Sequence, residues 1–239
     1  MENYNHKDTN MLSFSFIKQF ARSNAHAKAY LDAEFKSTPA LEFGKAFHSY
    51  MAGDYNAECV TESLPEPGRS RATKANKQYL FEMSQMEKQL IKLDDFFTIE
   101  TMHDSIAKHP IGKKLLAASG DVEQVYDLDR RKCKADKVTD KLIIDWKSIA
   151  DLDMNKIRYT IENYLYNGQA AWYNSIIGKD FAFVFVEKKP PFDVAVIVLT
   201  NNSMMMQESH ELVDMLELKA HLAIANNIWD GQENNIIYL

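Results

Sequence analysis

The chain has 239 residues and a mass of 27.5 kDa, with 46% apolar and 26% charged residues. This composition is typical of a packed globular protein, so intrinsic disorder and a coiled-coil rod are poor fits. No linker-like stretch divides the sequence, and we therefore expect a single domain over residues 1–239. The formal net charge of −6 provides no overall attraction to a polyanion, which argues against a histone-like or coat-like role in packaging nucleic acid.

Compartment and redox state follow from features that the sequence lacks. No apolar run approaches the roughly 18 residues that a membrane span requires, and residues 1–10 are polar without a signal-peptide core. The two cysteines, Cys59 and Cys133, are too few for a disulfide framework and have no zinc-binding spacing. We expect a cytoplasmic protein with reduced thiols and no membrane partner.

The first half of the sequence is predicted to be mainly helical. Residues 1–10 are expected to form a flexible tail, and apolar residues at helical intervals predict a helix over 12–31. The next helix has clear boundaries, because Thr38 can cap its start, Pro39 suits its first position and Gly53 suits its end. A basic, proline-containing surface loop is predicted over 62–77, and helical periodicity returns over 78–93 and 101–118.

The pattern changes after Gly120, where five short runs of β-branched or aromatic residues predict strands. Helical spacing predicts one helix over 153–177, between the third and fourth strands, and a last helix over about 204–227. This order predicts an α/β fold with a mixed central β-sheet flanked by helices. The predicted strands are 122–128, 132–138, 141–147, 181–187 and 192–199.

The candidate chemistry lies in a cluster of two carboxylates and a lysine: Asp136, Asp145 and Lys147. The sequence has no GxxxxGK[ST], GxGxxG, GxSxG or HExxH motif, so the common nucleotide, dinucleotide, esterase and zinc-protease signatures are missing. If Thr139 and Asp140 form a two-residue turn, Asp136 and Asp145 lie diagonally across the strand pair on one face. A turn one residue longer or shorter would move Asp136 to the other face.

Two converging carboxylates suit a hard divalent cation such as Mg²⁺, which leaves ligand positions for water and a phosphate oxygen. Lys147, two residues after Asp145, can stabilise negative charge that develops on a phosphate group. An exposed aspartate beside a lysine is more often only a solvated pair, and that alternative stays open. Asp145, however, interrupts a strongly apolar run, where a charge is seldom tolerated without a partner.

The predicted helix after these strands carries a polar stripe. Gln169 and Tyr173 are four residues apart and share a helical face, with Arg158, Glu162 and Tyr166 on or near the same stripe. These side chains form either the polar rim of an amphipathic helix or a set of contacts to a nucleic-acid backbone.

A third group is Gly44 and His48, which share a face of the capped helix. A glycine inside a helix costs about 1 kcal/mol relative to alanine unless close packing requires it. From the residues alone, His48 is more often a core histidine than a metal ligand.

The motifs GKAFH, CKADKV, IIDWKSIAD and NYLYNGQAAWY occur in this order and together resemble the PD-(D/E)xK nuclease superfamily. Within it, the sequence is most similar to the nuclease domains of RecE-type (exonuclease VIII) exonucleases of phages and prophages. The resemblance covers about residues 12–230 and implies a restriction-endonuclease-like core. Two positions depart from the family pattern: Ala135 replaces a proline, and Asp145 stands where many relatives have glutamate.

The resemblance also implies roles for the residues of the site. Asp136 and Asp145 would be metal ligands, and Lys147 would be the catalytic lysine. His48 and Glu123 would be further ligands. The implied cofactor is Mg²⁺, with Mn²⁺ as a substitute. Gln169 and Tyr173 would support the site and contact DNA.

The implied activity is digestion of linear double-stranded DNA from its ends, 5′ to 3′, by a homo-oligomeric ring. The single strands produced would serve phage-type recombination together with a single-strand annealing protein. Two alternatives stay open: a structure-selective or repair endonuclease of the same fold, and a catalytically silent DNA-binding subunit. Since the net charge is negative, any DNA surface must be local. Arg69 and Arg71, with Lys74 and Lys77, are the predicted DNA-facing lip.

Overall fold

The computed structural model describes residues 4–34 and 36–231, which form a mixed sheet with helices packed on both faces. The strands are β1 Leu12–Ser13, β2 Cys59–Thr61, β3 Gln89–Ile91, β4 Asp121–Leu128, β5 Arg131–Val138, β6 Leu142–Ile149, β7 Asp180–Glu187 and β8 Val194–Leu199. The helices are α1 Phe14–Ile17, α2 Asn24–Asp32, α3 Pro39–Ala52, α4 Tyr55–Glu58, α5 Lys74–Ser84, α6 Leu93–Lys108, α7 Pro110–Ala117, α8 Ile157–Asn163, α9 Tyr166–Ile177 and α10 Met204–Asn226.

The central sheet has the strand order β1-β5-β6-β7-β8, and β4 pairs with β5. Strands β4, β5 and β6 form an antiparallel meander, β7 runs parallel to β6, and β8 returns antiparallel to β7. The parallel β6–β7 step requires a crossover connection, which α8 and α9 supply. The prediction of a mixed central sheet flanked by helices is confirmed.

Strand β7 shows how the two faces of the sheet are covered. Phe181, Phe183 and Phe185 contact the core beneath α1, α9 and α10, whereas Val184 and Val186 contact the core beneath α3 and α6. Since helices cover both faces, this strand is an unbroken apolar run rather than an alternating one.

The capped helix α3 forms as predicted. The side chain of Thr38 accepts a hydrogen bond from the Leu41 N–H, Pro39 occupies the first turn, and Gly53 ends the helix with φ 83°. Glycine adopts this left-handed conformation with little conformational strain, because it has no Cβ. The end of α3 therefore follows directly from local chemistry.

Several predicted helices are divided in the structure. The range 12–31 contains β1, α1, a 3₁₀ turn over Lys18–Ala21 and α2. The range 101–118 is split before Pro110, because the residue preceding a proline is disfavoured in the helical conformation. The range 78–93 holds the end of α5 and the short strand β3.

The segment 4–10, expected to be a flexible tail, contacts the body of the protein in the structure. The Tyr4 hydroxyl donates to the carbonyl of Lys132 at 3.3 Å, and the Ser13 hydroxyl donates to the carbonyl of His6 at 2.9 Å. Residues 1–3 of the expected tail lie outside the described residues. Within the ranges 4–34 and 36–231, none of the helices is both long and apolar enough to cross a bilayer.

Candidate functional site

The β5–β6 hairpin positions the two aspartates of the motif. Val138 pairs with Ile143, and Lys137 pairs with Ile144, so each β5 residue faces a β6 residue two positions later than the sequence predicts. The predicted pairing is wrong by two residues. Because side chains alternate between faces every second residue, this shift does not change which face each side chain is expected to occupy. The backbone pairing of β5 with β6 covers these two residue pairs, and Asp136 and Asp145 lie just beyond its end.

Asp136 occupies a point where β5 and β6 separate. Its Oδ2 accepts a hydrogen bond from the Trp146 N–H at 2.9 Å, so the carboxylate takes the place of a backbone partner. On β5, Ala135 and Val138 both contact the core beneath α9 and α10, although strict alternation would send them to opposite faces. The carboxylates therefore meet at an irregularity in the sheet, and simple alternation does not describe this part of β5.

Glu123 lies on β4, the strand that pairs with β5 along the edge opposite β6, at the level of Asp136. Val122 pairs with Lys137 and Gln124 pairs with Ala135, which places Glu123 at the level of Asp136. Glu123 has φ 52°, a left-handed conformation that is strained for a residue with a Cβ. Strained backbone is frequent at functional sites, because the surrounding structure must hold it in place.

His48 completes a compact group of three ligand-type side chains. Its Nδ1 lies 3.1 Å from Asp136 Oδ2, and ligand atoms of His48, Glu123 and Asp136 all lie within 4.8 Å of one another. The structure thus brings together three of the four predicted ligands, from α3, β4 and β5. The alternative of a satisfied core histidine stays open, because Asp136 would serve as the polar partner of His48.

The opposite charges of His48 and Asp136 shift the pKa values of both side chains. Burial lowers the pKa of His48, but the adjacent Asp136 carboxylate outweighs burial and raises it overall. Burial raises the pKa of Asp136, and the neighbouring His48, the Lys147 charge and the Trp146 N–H outweigh it, so that this pKa is lowered overall. The pair is therefore an ionised carboxylate beside an imidazole that binds a proton readily.

Asp145 and Lys147 form the second part of the site. Asp145 is only 3% exposed, and its Oδ2 lies 2.7 Å from the Lys147 ammonium. Burial has the largest effect on Asp145 and raises its pKa. The Lys147 charge lowers this pKa and the Asp136 charge raises it, and the pKa is raised overall. Burial would lower the pKa of Lys147, but Asp145 and Asp136 raise it overall, so the ammonium stays charged. Asp145 lies outside the 4.8 Å group of His48, Glu123 and Asp136.

Gln169 and Tyr173 contact both strands of the site from α9. The Gln169 amide donates to Asp145 Oδ1 at 2.8 Å, and the Tyr173 hydroxyl donates to the carbonyl of Lys134 at 3.0 Å. Tyr166, one turn before Gln169, lies under the Lys147 ammonium, 5.0 Å from its ring centroid. Three residues of the predicted polar stripe therefore surround the carboxylates and the lysine.

Arg158 is separate from this stripe. The predicted single helix over 153–177 is interrupted by Leu165, which has φ 55° and divides α8 from α9. Arg158 lies on α8, where its exposed guanidinium donates to Glu162 at 2.9 Å. The continuous stripe is wrong at this end, and contact between Arg158 and DNA stays a prediction.

The predicted basic lip has its own internal partners. Arg71 forms an ion pair with the buried carboxylate of Glu62, and Asn76 holds the loop through bonds to the backbone of Glu66 and Ser70. The loop ends at Thr73, which caps α5, so its predicted extension to residue 77 is wrong. The role of Arg69 and Arg71 in DNA binding stays a prediction.

Sequence reasoning missed a group of lysines around the N-terminal segment. Burial lowers the pKa of His6, and the charges of four lysines lower it further. Burial lowers the pKa of Lys18, and the Lys147 charge lowers it further, so Lys18 lies near the candidate site. Only the fold brings these lysines together, so no local spacing could reveal them. They are Lys18, Lys45, Lys132 and Lys134.

The donor set fits a hard divalent cation. Carboxylate oxygens suit Mg²⁺ and Mn²⁺, and an imidazole ligand is compatible with the softer Mn²⁺. Among the described residues, Asp145 Oδ2 is a buried oxygen without a hydrogen-bond partner, although the Lys147 ammonium is near it. A buried carboxylate oxygen in this state has a free lone pair for a further ligand.

Comparison with known proteins identifies the family. The family of PDDEXK-like domains of unknown function, DUF3799, matches residues 13–235. The chain belongs to this family. The resemblance to the PD-(D/E)xK superfamily is therefore confirmed, and no curated protein matches the sequence significantly.

Three solved structures that are similar to this chain are named as exonucleases. A provisionally named exonuclease from Eubacterium rectale has a TM-score of 0.68 at 20% identity, with 100% of this chain and 94% of that chain covered. A phage-related exonuclease from Haemophilus somnus 129PT has a TM-score of 0.39 at 12% identity, covering 72% and 99%. An alkaline exonuclease from Laribacter hongkongensis has a TM-score of 0.37 at 14% identity, covering 77% and 95%.

Proposed function

We propose that this PDDEXK-like protein is a Mg²⁺-dependent exodeoxyribonuclease that degrades linear double-stranded DNA from its ends. The observation that carries the proposal is the convergence of His48, Glu123 and Asp136 within 4.8 Å, beside the buried Asp145–Lys147 pair. A metal-type ligand group next to a charged lysine is the combination that phosphodiester hydrolysis requires. The name of the Eubacterium rectale relative agrees with this activity.

The lysines around the site support a polyanionic substrate. Although the whole chain carries a net charge of −6, Lys18, Lys45, Lys132 and Lys134 all lower the pKa of His6, and Lys147 lowers that of Lys18. Lys132 and Lys134 also form ion pairs with Asp8 and Glu123. A local concentration of positive charge beside carboxylates attracts a phosphate backbone while the carboxylates retain a cation.

The proposed roles of the residues follow from their positions. His48, Glu123, Asp136 and Asp145 would hold the cation, which when bound polarises a phosphate oxygen and makes nearby water more acidic. Lys147, held in its ammonium form by two carboxylates, donates to the phosphate oxygen on which negative charge develops. In the reaction, the oxygen of a water molecule bonds to phosphorus, the bond to the 3′ oxygen breaks, and that oxygen takes up a proton.

Helix α9 keeps these groups in place. Gln169 fixes Asp145 through Oδ1, while Oδ2 lies 2.7 Å from the Lys147 ammonium, and Tyr173 fixes the backbone of β5 at Lys134. Such supporting hydrogen bonds orient ligands and typically affect metal affinity or activity 10- to 100-fold.

The wider role that we propose rests on the resemblance to RecE-type exonucleases. Digestion would run 5′ to 3′, and the exposed single strands would pass to an annealing protein for phage-type recombination. The enzyme would act as a homo-oligomeric ring in the cytoplasm, with Mn²⁺ able to replace Mg²⁺.

Digestion of end-labelled DNA tests the activity. With Mg²⁺, the wild type should release label from linear duplex and leave covalently closed circles intact. Asp136→Asn and Lys147→Ala should each reduce the rate at least about 100-fold, because each removes a group that acts at the phosphate. Asp140→Asn and Lys141→Ala are matched controls in the hairpin turn and should retain the wild-type rate.

Three results would redirect the proposal. Digestion of closed circles would indicate an endonuclease, and release of the 3′ label before the 5′ label would reverse the polarity. Undiminished digestion by Lys147→Ala and Asp136→Asn would place the active site elsewhere.

Metal binding can be measured without DNA. Titration calorimetry with Mn²⁺ should show binding by the wild type and about tenfold or greater weakening in Glu123→Gln, since a ligand carboxylate becomes a neutral amide. Asp140→Asn should bind as the wild type does. A wild type that binds neither Mg²⁺ nor Mn²⁺ would favour a catalytically silent DNA-binding subunit.

A further inference from the structure

An aromatic stack leads from the sheet to the surface beside Lys147. The rings of Tyr164 and Tyr166 stack at a centroid distance of 5.6 Å and an interplanar angle of 27°. Tyr166 is partly buried and lies under the Lys147 ammonium, whereas Tyr164 is 60% exposed. The Tyr164 ring is therefore open to solvent. It stacks on Tyr166, which in turn contacts the Lys147 ammonium.

The inner part of this stack is anchored in the core. The Tyr166 ring contacts Phe183 at 5.8 Å and Phe185 at 6.1 Å between centroids. These two phenylalanines pair with Asp145 and Lys147 across the parallel β6–β7 ladder. The rings and the charged pair therefore share one rigid support, so their relative positions are fixed before any ligand binds.

The backbone between α8 and α9 presents the outer ring. Leu165 has φ 55° and ψ 34°, a left-handed conformation that costs a residue with a Cβ about 1 kcal/mol or more. Its N–H donates to the carbonyl of Glu162, and its own carbonyl accepts from the Gln169 N–H, which holds the turn. A continuous helix would place residues 164 and 166 about 200° apart around its axis, so this strained turn allows the two rings to stack.

We propose that Tyr164 is a positioning residue that stacks on an unpaired base next to the phosphate held at Lys147. This inference rests on the proposed nuclease function and deepens it. An exposed aromatic face binds any base with similar strength, about 1–3 kcal/mol per base, because every base has a π-face. Inside a duplex, neighbouring bases cover both faces of each base, so we expect the substrate at this site to have at least one unpaired nucleotide at its end.

The proposal adds a substrate preference to the activity. A duplex whose last pairs are frayed or mismatched should bind more tightly than one with a stable blunt end, since less pairing energy is lost before stacking. The ring then holds the terminal nucleotide while the lysine contacts its phosphate. Sequence preference should be weak, because stacking reads no hydrogen-bond pattern.

Fluorescence of 2-aminopurine tests the stacking directly, because a stacked aromatic ring quenches this base. All proteins carry Asp136→Asn to prevent digestion, and the probe is a duplex with 2-aminopurine at a mismatched terminal position. We expect quenching with Tyr164 and with Tyr164→Phe, which retains a ring. With Tyr164→Ala we expect loss of quenching and about fivefold to 100-fold weaker binding.

Controls separate the stack from general effects. Tyr159→Ala removes an exposed tyrosine of α8 that is 67% exposed, and it should change affinity less than twofold. A duplex with 2-aminopurine in a paired internal position should not be quenched. Thermal unfolding should show that Tyr164→Ala folds, since this side chain is mostly exposed.

The outcomes distinguish this inference from the proposed function. If the wild type neither binds nor digests the linear duplex, both are overturned. If the Asp136→Asn protein binds DNA but Tyr164→Ala quenches and binds as before, or Tyr159→Ala loses as much affinity, only the stacking role of Tyr164 is overturned.

Discussion

At the scale of single residues, the uncharged side chain of Gln169 holds the charged side chain of Asp145 in position. Its amide donates to Asp145 Oδ1 at 2.8 Å, and loss of a bond to a buried carboxylate is costly. We expect Gln169→Leu to reduce DNA digestion and Mn²⁺ affinity about 10- to 100-fold, as measured by label release and calorimetry.

The matched control for this prediction is Gln78→Leu. Gln78 donates to Glu82 at the same distance of 2.8 Å, but on the exposed surface of α5. It should leave both quantities unchanged. Full activity in Gln169→Leu would mean that Asp145 needs no support from α9.

The two cysteines are expected to be inert in the folded protein. Burial raises the pKa of the Cys133 thiol to about 12, and burial together with the Glu58 charge raises that of Cys59. The thiolate is the reactive form, and at pH 8 only about one Cys133 thiol in 10⁴ would be ionised. Mass spectrometry after iodoacetamide treatment should find no adduct in the native state and two in urea. Rapid native labelling of Cys133 would contradict its burial beneath α9.

At the scale of elements, two glycines have opposite expected effects. A Cβ at Gly44, inside α3, would meet nothing within 4 Å, so Gly44→Ala should stabilise the fold by about 0.5–1 kcal/mol. A Cβ at Gly120, before β4, would lie 2.2 Å from the carbonyl oxygen of Val138, so Gly120→Ala should destabilise by about 1–3 kcal/mol. Thermal unfolding measures both as shifts of about 2–4 °C per kcal/mol. Equal shifts of the same sign would show that these contacts do not govern stability.

Local sequence signals predict where helices and strands form better than they predict where a helix is interrupted. Thr38, Pro39 and Gly53 define α3 because capping is a local interaction, and five strands were predicted to within a few residues. The interruption at Leu165 could not be predicted, since leucine gives no local signal for a positive φ and tertiary contacts impose it. The hairpin pairing was wrong by two residues, because the turn lies at Asp140 and Lys141 rather than one position earlier.

The site was predictable where its residues share a motif and unpredictable where they converge from distant segments. Asp136, Asp145 and Lys147 follow from one hairpin, and Gln169 follows from its helix. The strained backbone of Glu123 and the lysines around His6 depend on long-range packing, which no spacing reveals.

At the scale of the whole molecule, the net charge of −6 must be reconciled with the proposed binding to a polyanion. Repulsion is weak beyond about 10 Å at 0.1 M salt, so nearby lysines decide affinity. Lys18 and Lys45 both act on His6 near the carboxylates, and each phosphate contact adds about one to the slope of log affinity against log salt. We expect Lys18→Gln with Lys45→Gln to lower this slope by about two, measured by fluorescence anisotropy with linear duplex. The matched pair Arg69→Gln with Lys77→Gln tests the predicted lip, of which Lys77 lies on α5. A larger loss from that pair would mean that DNA runs over the predicted lip rather than past the N-terminal segment.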